Sequence, residues 1–152
     1  MREAHSLLVF CDDPRLMPEK AHACDAGYDL RAACSGQISP GMSSSISCGI
    51  SIALPAGCEG QVRGRSGLAF KDRVLCHVGT LDAGYRGEIA VMLFNLHHHR
   101  TFVYNKYDRI AQLVVARLWT GKIEIAAALP PSERGAAGFG STGTGALAPK
   151  GL

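Results

Sequence analysis

A strict alternation of apolar and small residues runs through the segment ISCGISIAL, residues 46–54. Isoleucine, cysteine and leucine fill every second position, and the positions between them carry serine, glycine and alanine. Because successive side chains of a β-strand point to opposite faces, this period of two predicts a half-buried antiparallel strand. It is the strongest local signal of secondary structure in the chain.

Shorter segments of the same kind follow one another along most of the chain. They are separated by turn sequences such as SPG, PAG and DAG, and no long amphipathic helical pattern interrupts them. Further strands are predicted at residues 7–11, 30–33, 60–65, 74–78, 88–96, 101–105, 110–119 and 123–127. Many short strands at regular spacing predict an all-β sandwich or barrel.

The length and composition are those of one ordinary globular domain. The chain has 152 residues, of which 47% are hydrophobic and 19% are charged. The net charge is only +3, and no run of lysine and arginine stands out. These values argue against a nucleic-acid-binding surface, so no nucleic acid is expected among the partners.

The character of the chain changes after Leu129. The remaining segment, PPSERGAAGFGSTGTGALAPKGL, is rich in glycine, holds one aromatic residue and shows no hydrophobic period. Such a segment cannot build a core, so we predict a β-barrel core at residues 1–129 and a flexible arm at residues 130–152. Fully extended, the arm would span up to roughly 70 Å and could reach another subunit.

The N-terminus and the cysteines bear on where the protein works. The apolar stretch LLVFC is too short for a signal peptide, and no apolar run approaches the roughly 20 residues of a membrane span. The six cysteines contain no C-x-x-C pair and are Cys11, Cys24, Cys34, Cys48, Cys58 and Cys76. We expect reduced and mostly buried thiols in an intracellular protein without membrane attachment, with disulfides as the alternative.

Two aspartates stand beside glycine turns in segments that share the core DAGY. One is Asp25 in DAGYDL, and the other is Asp82 in DAGYRGE. Carboxylates on loops held by a rigid sheet are candidates for function, whereas the common role of such an aspartate is to cap a turn. The two segments are interpreted as similar turns rather than as a duplication.

Two further segments carry candidate polar ligands. In GRSGLAFK, Arg65, Ser66 and Gly67 precede one predicted helical turn with Ser66 as its N-cap. This arrangement is either a small anion site or an ordinary capped turn. In RIAQLVVARLW, the amide of Gln112 lies on an apolar face and needs a partner in the protein or in a ligand.

Two other patterns lack the context that their usual ligands require. GFGSTG, residues 138–143, has the spacing of a dinucleotide-binding loop, and residues 135–142 nearly match the P-loop pattern G-x-x-x-x-G-K-[ST]. No helix-forming segment follows either pattern, and Ser141 stands at the position of the P-loop lysine, so both interpretations fail. HHH, residues 97–99, lies between two predicted strands. It is interpreted as a hairpin tip whose side chains diverge, and no structural or catalytic metal is expected there.

Five segments follow one another over residues 25–143: DAGYDLRA, GRSGLAFK, VGTLDAGYRGEIAV, DRIAQLVV and RGAAGFGSTG. In set and order they resemble the five motifs of the homotrimeric dUTP pyrophosphatases, or dUTPases. The resemblance implies a jelly-roll-like all-β subunit in a homotrimer with shared active sites. It also implies hydrolysis of dUTP to dUMP and pyrophosphate, which limits uracil incorporation into DNA and supplies dUMP for dTTP synthesis.

The third motif would carry both the catalytic base and the selectivity for deoxyuridine. By the resemblance, Asp82 is the general base that activates a water for attack on the α-phosphorus. Tyr85 packs under the sugar and leaves no room for a 2′-hydroxyl group. The backbone at Thr80 and Leu81 reads uracil through main-chain hydrogen bonds.

The resemblance also supplies ligands for the triphosphate: Arg65, Ser66, Gly67, Gln112, Arg134, Ser141 and Thr142. In the arm, Phe139 corresponds to an aromatic lid over uracil, and Gly138 and Gly140 let the backbone approach the nucleotide closely. Mg²⁺ is the implied cofactor, held mainly by phosphate oxygens and water. Asp29 corresponds to the acidic residue that reaches this ion through water.

Three residues depart from the family pattern. Tyr107 stands where a glycine is usual, and a positive φ there would cost tyrosine roughly 1–2 kcal/mol unless the turn differs. Ala137 replaces a common glycine in the arm, and Cys76 stands where many relatives have an asparagine that a thiol cannot replace. None of these changes removes the predicted base or the predicted phosphate ligands.

Three other functions compete with dUTP hydrolysis. A dCTP deaminase shares the fold, but its chemistry needs a glutamate where this chain has Met92, which cannot transfer protons. A catalytically weak member of the same fold would act as a binding or regulatory module, although Asp82, Tyr85 and Arg134 are intact. The third is a generic β-sandwich interaction domain with a disordered tail.

Overall fold

The structure is a computed structural model that describes residues 6–132 and 135–136. The chain divides into two compact units, residues 1–120 and residues 121–152. All strands and helices of the described residues lie in the first unit. This unit therefore positions the candidate site residues on its strands and turns.

Ten strands and two short helical segments build the first unit. The strands are β1 (Leu8–Cys11), β2 (Tyr28–Arg31), β3 (Gly36–Ile38), β4 (Ser43–Ala53), β5 (Cys58–Arg63), β6 (Val74–Cys76), β7 (Gly79–Leu81), β8 (Glu88–Asn95), β9 (Phe102–Tyr104) and β10 (Arg109–Arg117). A 3₁₀ turn covers Pro14–Leu16, and the α-helix α1 covers Ser66–Asp72. In the part of the chain that the structure describes, no helix has the length and apolar character needed to cross a bilayer.

The strands form two four-stranded sheets and one two-stranded ribbon. The first sheet has the order β1-β4-β8-β6, the second has the order β2-β10-β5-β7, and β3 pairs with β9. All these pairings are antiparallel. Among the described strands, none pairs with the next one along the chain, which is the connectivity of a jelly roll. The predicted jelly-roll-like all-β fold is confirmed.

The core lies between the two large sheets and uses the alternation seen in the sequence. Ile46, Cys48, Ile50 and Ile52 of β4 are buried, and the residues between them are partly exposed, so the strand predicted at residues 46–54 is confirmed. β8 pairs with β4 and buries every second residue in the same way. Burial of each such side chain contributes about 1.5–3 kcal/mol, which makes this strand pair the largest part of the core.

The strand predicted at residues 123–127 is wrong. The structure describes this segment and assigns it no strand, and the side chains of Ile123 and Ile125 are fully exposed. A strand needs a neighbour to accept and donate its backbone hydrogen bonds, and among the described residues no strand pairs with this segment. Conversely, β3 and β7, of three residues each, lie outside the predicted strands.

The hairpin predicted at residues 97–99 is also wrong. β8 pairs with β4 and β6, whereas β9 pairs with β3, so the three histidines connect two different sheets. The ring of His97 has a structural role there, because its Nδ1 accepts hydrogen bonds from the amides of His99 and Arg100 at 3.2 and 3.0 Å. The hairpin prediction assumes that two strands adjacent along the chain also pair in a sheet.

The six cysteines are all free, but the prediction that most are buried is wrong. Only Cys48 is buried, whereas Cys24 and Cys34 are exposed. The exposed pair lies in turns between strands, where a small apolar side chain has no core to enter. Burial raises the pKa of the Cys48 thiol to about 12, so this group stays protonated.

Tyr107 adopts the strained backbone conformation that its position suggested. Its φ is 75°, and within the described residues the other non-glycine residue with positive φ is Arg73, which ends α1 in the left-handed conformation. The turn therefore keeps the geometry that suits glycine. The positive φ of the tyrosine costs roughly 1–2 kcal/mol of conformational strain, and the turn geometry is unchanged.

Asn95 is the buried polar residue that ties β8 to its surroundings. Its Nδ2 donates to the carbonyl oxygens of Ile38 and Arg100 at 2.9 and 2.8 Å. Its Oδ1 accepts from the amide of His97 at 3.0 Å. The side chain is therefore fully satisfied, and it closes the connection between β8 and the β3–β9 ribbon.

We predict that Asn95→Leu lowers the free energy of unfolding by about 3 kcal/mol, because it leaves buried backbone groups without partners. Urea denaturation followed by circular dichroism measures this difference. The matched control is Gln37→Leu, since Gln37 is exposed on β3. The control should change stability by less than about 0.5 kcal/mol. Equal losses in the two variants would contradict the role given to Asn95.

Candidate active site

One polar pocket gathers residues from three of the five motifs. Asp29, Arg65, Ser66 and Gln112 line a pocket of about 270 Å³ together with Arg109. They come from β2, from the junction of β5 with α1, and from β10. These segments are far apart in the sequence, and the second sheet brings them together.

The register of β10 explains why these side chains meet. Gln112 lies directly opposite Asp29 on β2 and opposite Arg63 on β5. Directly opposed residues of antiparallel strands have Cβ atoms about 4.5–5.5 Å apart. Arg65 and Ser66 follow two and three residues after Arg63, so they enter the same region of the sheet edge.

Gln112 is held by close contacts on both sides. Its Nε2 donates to the carbonyl oxygen of Gly64 at 2.9 Å. A Cβ atom added to Gly27 would lie 2.3 Å from its Oε1, so the backbone of β2 can approach only because residue 27 is glycine. The partner that the sequence required for this amide is therefore in the protein.

Asp29 is the acidic centre of the pocket and is shared by two arginines. Its carboxylate forms an ion pair with Arg65 and a second one with Arg109, whose Nη1 lies 3.4 Å from Oδ2. Asp29 is largely buried, with 16% of its side chain exposed. Burial, together with the charge of Arg109, lowers the pKa of Arg65, although an arginine remains charged under all ordinary conditions.

Arg109 is the pocket residue that the sequence reasoning missed. It begins β10, three residues before Gln112, and about half of its side chain is exposed. Its presence within DRIAQ was visible in the sequence. The side of the sheet on which its side chain lies was not visible there, because the β-bulge between Arg109 and Ala111 interrupts the alternation from which that side would be inferred.

The local structure at Ser66 corrects one prediction. Ser66 is the first residue of α1, and the N-cap is Arg65, which makes no side-chain capping bond. Arg65 has the extended conformation of an N-cap, and its carbonyl oxygen accepts from the amide of Ala69 at 3.1 Å. The Ser66 hydroxyl is therefore not used for capping, and the residue stays exposed beside the pocket.

A second group of predicted residues lies on the β7–β8 connection. Thr80 and Leu81 belong to β7, and Asp82 follows in a turn closed by a hydrogen bond from the amide of Tyr85 to its carbonyl oxygen at 3.0 Å. The Tyr85 hydroxyl donates to the carbonyl oxygen of Glu88 at 2.9 Å. Asp82 and Tyr85 are exposed, so both are available to a ligand.

Gly87 allows the position of the Tyr85 ring. A Cβ atom on Gly87 would lie 2.4 Å from the Tyr85 hydroxyl oxygen and 2.6 Å from the adjacent ring carbon.

Cys76, at the departure from the family pattern, is half-buried on β6, and its thiol donates to the carbonyl oxygen of His77 at 3.1 Å. This thiol is occupied locally and does not replace an amide.

The two groups lie at opposite ends of β5 within one chain. Leu81 pairs with Gly60, which places Asp82 beside the start of that strand, whereas Arg65 follows its last residue. Gly60 and Arg63 are three residues apart on β5, which corresponds to about 10 Å along the strand, and Arg65 lies two residues beyond its end. The structure therefore brings together the ligands of the pocket and, separately, the residues of the β7–β8 connection.

The arm residues that the sequence assigned to the site lie outside the described residues. They are Arg134, Gly138, Phe139, Gly140, Ser141 and Thr142. Ala137, the departure from the family pattern in the arm, lies outside them as well. Their roles stay predictions.

We predict that Gly27→Ala weakens the binding of inorganic triphosphate by about ten-fold, because the added methyl group forces the Gln112 amide out of its position. Isothermal titration calorimetry measures the dissociation constant. Gly84→Ala is the matched control, since nothing lies within 4 Å of a Cβ atom at Gly84. Unchanged affinity in Gly27→Ala, or an equal loss in both variants, would contradict the account of this pocket.

Comparison with known proteins identifies the family. The family model described as dUTPase matches residues 13–143. The deoxyuridine 5'-triphosphate nucleotidohydrolase of Maricaulis maris is 52% identical over 125 residues, which cover 78% of this chain and 82% of that protein. The protein of the same name from Trichodesmium erythraeum is 44% identical over 135 residues, covering 88% of this chain and 94% of the relative.

Solved structures share the fold. A mutant dUTPase of Staphylococcus bacteriophage 80alpha with dUpNHpp has a TM-score of 0.84 at 28% identity, over 91% of this chain and 98% of that chain. A mutant dUTPase from phage phi11 of S. aureus, described with a structural Mg(II) ion, has a TM-score of 0.74 at 25% identity, over 81% of this chain and 97% of that chain. The family model extends over most of the chain, and the relatives match it along most of their length. The chain therefore belongs to the dUTPase family.

Proposed function

We propose that this protein hydrolyses dUTP to dUMP and pyrophosphate. Family membership supports the reaction, and the observation that carries the assignment to residues is the pocket formed by Asp29, Arg65, Ser66, Arg109 and Gln112. It combines two guanidinium groups, a hydroxyl and an amide, which are suitable donors for a chain of phosphate groups. The reaction would limit uracil in DNA and supply dUMP for dTTP synthesis.

Asp82 is the proposed general base. Its carboxylate accepts a proton from a water whose oxygen attacks the α-phosphorus, and the bond from that phosphorus to the bridging oxygen breaks. Pyrophosphate leaves with its charge compensated by Arg65 and Arg109. Gln112 and Ser66 hold phosphate oxygens in place, so that the attack occurs on an oriented group.

The β7–β8 connection would select the deoxyuridine part of the substrate. Tyr85 is fixed by its bond to the Glu88 carbonyl and by the close approach of Gly87, so its ring is a rigid surface for the sugar. A ring in that position would exclude a 2′-hydroxyl group. Backbone groups at Thr80 and Leu81 would read uracil, and Phe139 of the arm would cover it.

The distance between the two groups supports a homotrimer with shared active sites. Base and phosphate ligands must act on the same phosphorus atom, yet Asp82 lies beside the start of β5 and Arg65 lies beyond its other end. A second copy that places its Asp82 beside this pocket removes the difficulty. The remaining ligands, Arg134, Ser141 and Thr142, would come from an arm that closes over the nucleotide.

An exposed apolar face supports contacts between copies. Leu75 on β6 pairs with Phe94 on β8, and Met92 points to the same side, each with between 37% and 45% of its surface exposed. Contiguous apolar side chains on the outside of a sheet are typical of a protein–protein interface. They belong to the first sheet, so its outer face is the proposed contact surface.

Mg²⁺ is the proposed cofactor. In the described residues, no three ligating side chains of histidine, cysteine, aspartate or glutamate gather around one point. Asp29 is the carboxylate of the pocket and pairs with Arg65 and Arg109, so it would reach the ion through water while phosphate oxygens and other waters hold it. The bound ion would offset the charge of the triphosphate, as Arg65 and Arg109 do from the protein side.

An intracellular location is proposed because the substrate belongs to nucleotide metabolism. The six free cysteines are compatible with a reducing compartment.

The proposed function predicts that the wild-type protein releases pyrophosphate from dUTP in the presence of Mg²⁺, but not from dCTP, dTTP or UTP. Asp82→Asn should lower kcat for dUTP by roughly 10²–10⁴-fold, since it removes the general base. A coupled pyrophosphate assay on all four nucleotides measures both effects. The matched control is Asp72→Asn, because Asp72 pairs with Arg100 outside the pocket.

Three results would contradict the proposal. An equal loss in Asp82→Asn and Asp72→Asn would remove Asp82 from its role as base. Ammonia released from dCTP would indicate a deaminase, despite Met92. A folded wild-type protein that binds dUTP without turnover would instead be a binding or regulatory module.

A further inference from the structure

Tyr107 occupies the third position of a tight turn between β9 and β10. The turn is closed at both ends, because the amide of Asp108 donates to the carbonyl oxygen of Asn105 at 3.0 Å, and the amide of Asn105 donates to Asp108 Oδ2 at 2.8 Å. A positive φ at this position is the requirement of a type II turn and favours glycine. With φ of 75°, the tyrosine must be stabilised by contacts elsewhere.

The tyrosine side chain provides these contacts on three sides. Its hydroxyl donates to Asp13 Oδ2 at 2.7 Å. The guanidinium group of Arg15 lies 4.5 Å from the ring centroid and the ammonium group of Lys106 lies 4.9 Å from it, both within cation–π range. Both cations also pair with Asp13, at 2.9 and 3.4 Å. Ring, carboxylate and cations therefore form one cluster that joins the turn to the segment after β1.

The charge state of this cluster is constant over the range of a normal assay. The hydrogen bonds from Arg15 and Tyr107 hold the pKa of Asp13 well below its usual range. Lys106 is charged as well, since contacts with Tyr107 and Asp13 raise its pKa. Near neutral pH, the Asp13 carboxylate that binds the tyrosine is therefore ionised and Lys106 is protonated.

The backbone of the turn is fixed on the end of β2. The amide of Tyr107 donates to the carbonyl oxygen of Ala32 at 2.8 Å, and the amide of Ala32 donates to the carbonyl oxygen of Asp108 at 2.9 Å. Arg31 adds a bond from its Nη1 to the carbonyl oxygen of Tyr107 at 3.2 Å. The residue that follows this closed unit is Arg109, which reaches Asp29 in the pocket.

The position of the turn sets the register of β10 at the pocket. Arg109 lies opposite Arg31, and the bulge that follows places Gln112 opposite Asp29. Without the extra residue, Ala111 would lie opposite Asp29, because strand residues advance one for one. Since a shift by one residue reverses the faces of a strand, the pocket would then lose its amide.

We infer that Tyr107 is a positioning residue of the phosphate pocket, which acts by clamping the β9–β10 turn and thereby placing Arg109 and Gln112. This inference rests on the proposed function, since it assigns the pocket to the triphosphate. A glycine would adopt the turn without strain but could not bind Asp13. The tyrosine therefore strains the backbone of the turn, and its side chain anchors the turn to Asp13.

The test compares two variants that each remove one tyrosine hydroxyl. Tyr107→Phe breaks the bond to Asp13, whereas Tyr104→Phe, three residues earlier, removes the hydroxyl of a buried tyrosine that lies beside Gly36 on β3, away from the pocket. The measurements are kcat and KM for dUTP, Kd for inorganic triphosphate and Tm. We expect Tyr107→Phe to raise KM and Kd by about five-fold and to lower kcat by a smaller factor, because Arg109 binds the triphosphate and also compensates the charge of the leaving pyrophosphate. Tyr104→Phe should lower Tm without changing KM.

A second variant and a double-mutant cycle separate positioning from stability. Tyr107→Gly relieves the strain but removes the anchor, so its KM should rise by about ten-fold while its Tm stays near that of the wild type. In an Arg109→Ala background, the effect of Tyr107→Phe on KM should be smaller than in the wild type, because the part that acts through Arg109 is lost and only the part that acts through Gln112 remains. An undiminished effect in that background would overturn the inference. So would an unchanged KM in both Tyr107 variants.

Failure of the inference is distinguishable from failure of the proposed function. If the wild-type protein does not hydrolyse dUTP but binds inorganic triphosphate, the Kd values alone still test the role of Tyr107. If the wild-type protein binds no triphosphate, the pocket is not a phosphate site, and the inference is overturned with it.

Discussion

The pairing of β5 with its two neighbours is the constraint on which the site depends. On one side β10 aligns Gln112 with Arg63, and on the other side β7 aligns Leu81 with Gly60. Antiparallel hydrogen bonding fixes these alignments, so the pocket and the turn of Asp82 stay at opposite ends of β5. The proposed function therefore relies on the assembly of several copies rather than on movement within one subunit.

Much of the fold was predictable because alternation reports burial directly. The nine-residue pattern within β4 predicted that strand, and the same principle located β1, β8 and β10. Alternation gave wrong predictions where it did not coincide with the pairing of strands in a sheet. Ile123 and Ile125 alternate with polar or small residues, but among the described residues no strand pairs with this segment. β7 has three residues and lies outside the predicted strands. Strand pairing is a property of the assembled sheet, and local sequence does not contain it.

The candidate site shows the same division. Family motifs predicted Asp29, Arg65 and Gln112, and the structure places all three in one pocket. They did not predict Arg109, whose direction depends on a bulge, or the ion pairs that Asp29 makes with both arginines. Contacts of this kind arise from tertiary placement. Tyr107 illustrates the converse, because the sequence showed an unsuitable residue, and only the cluster around Asp13 explains why it is tolerated.

The central claim, that each active site combines two copies of the chain, is tested most directly by mixing two inactive variants. Asp82→Asn keeps the phosphate pocket, and Arg65→Gln keeps the base. After joint unfolding and refolding in equal amounts, random trimers would contain about a quarter of their sites with both intact groups from different subunits, so about a quarter of the wild-type dUTP hydrolysis should return. A mass tag on one variant would show whether mixed trimers form. Mixed trimers without dUTP hydrolysis would contradict the account.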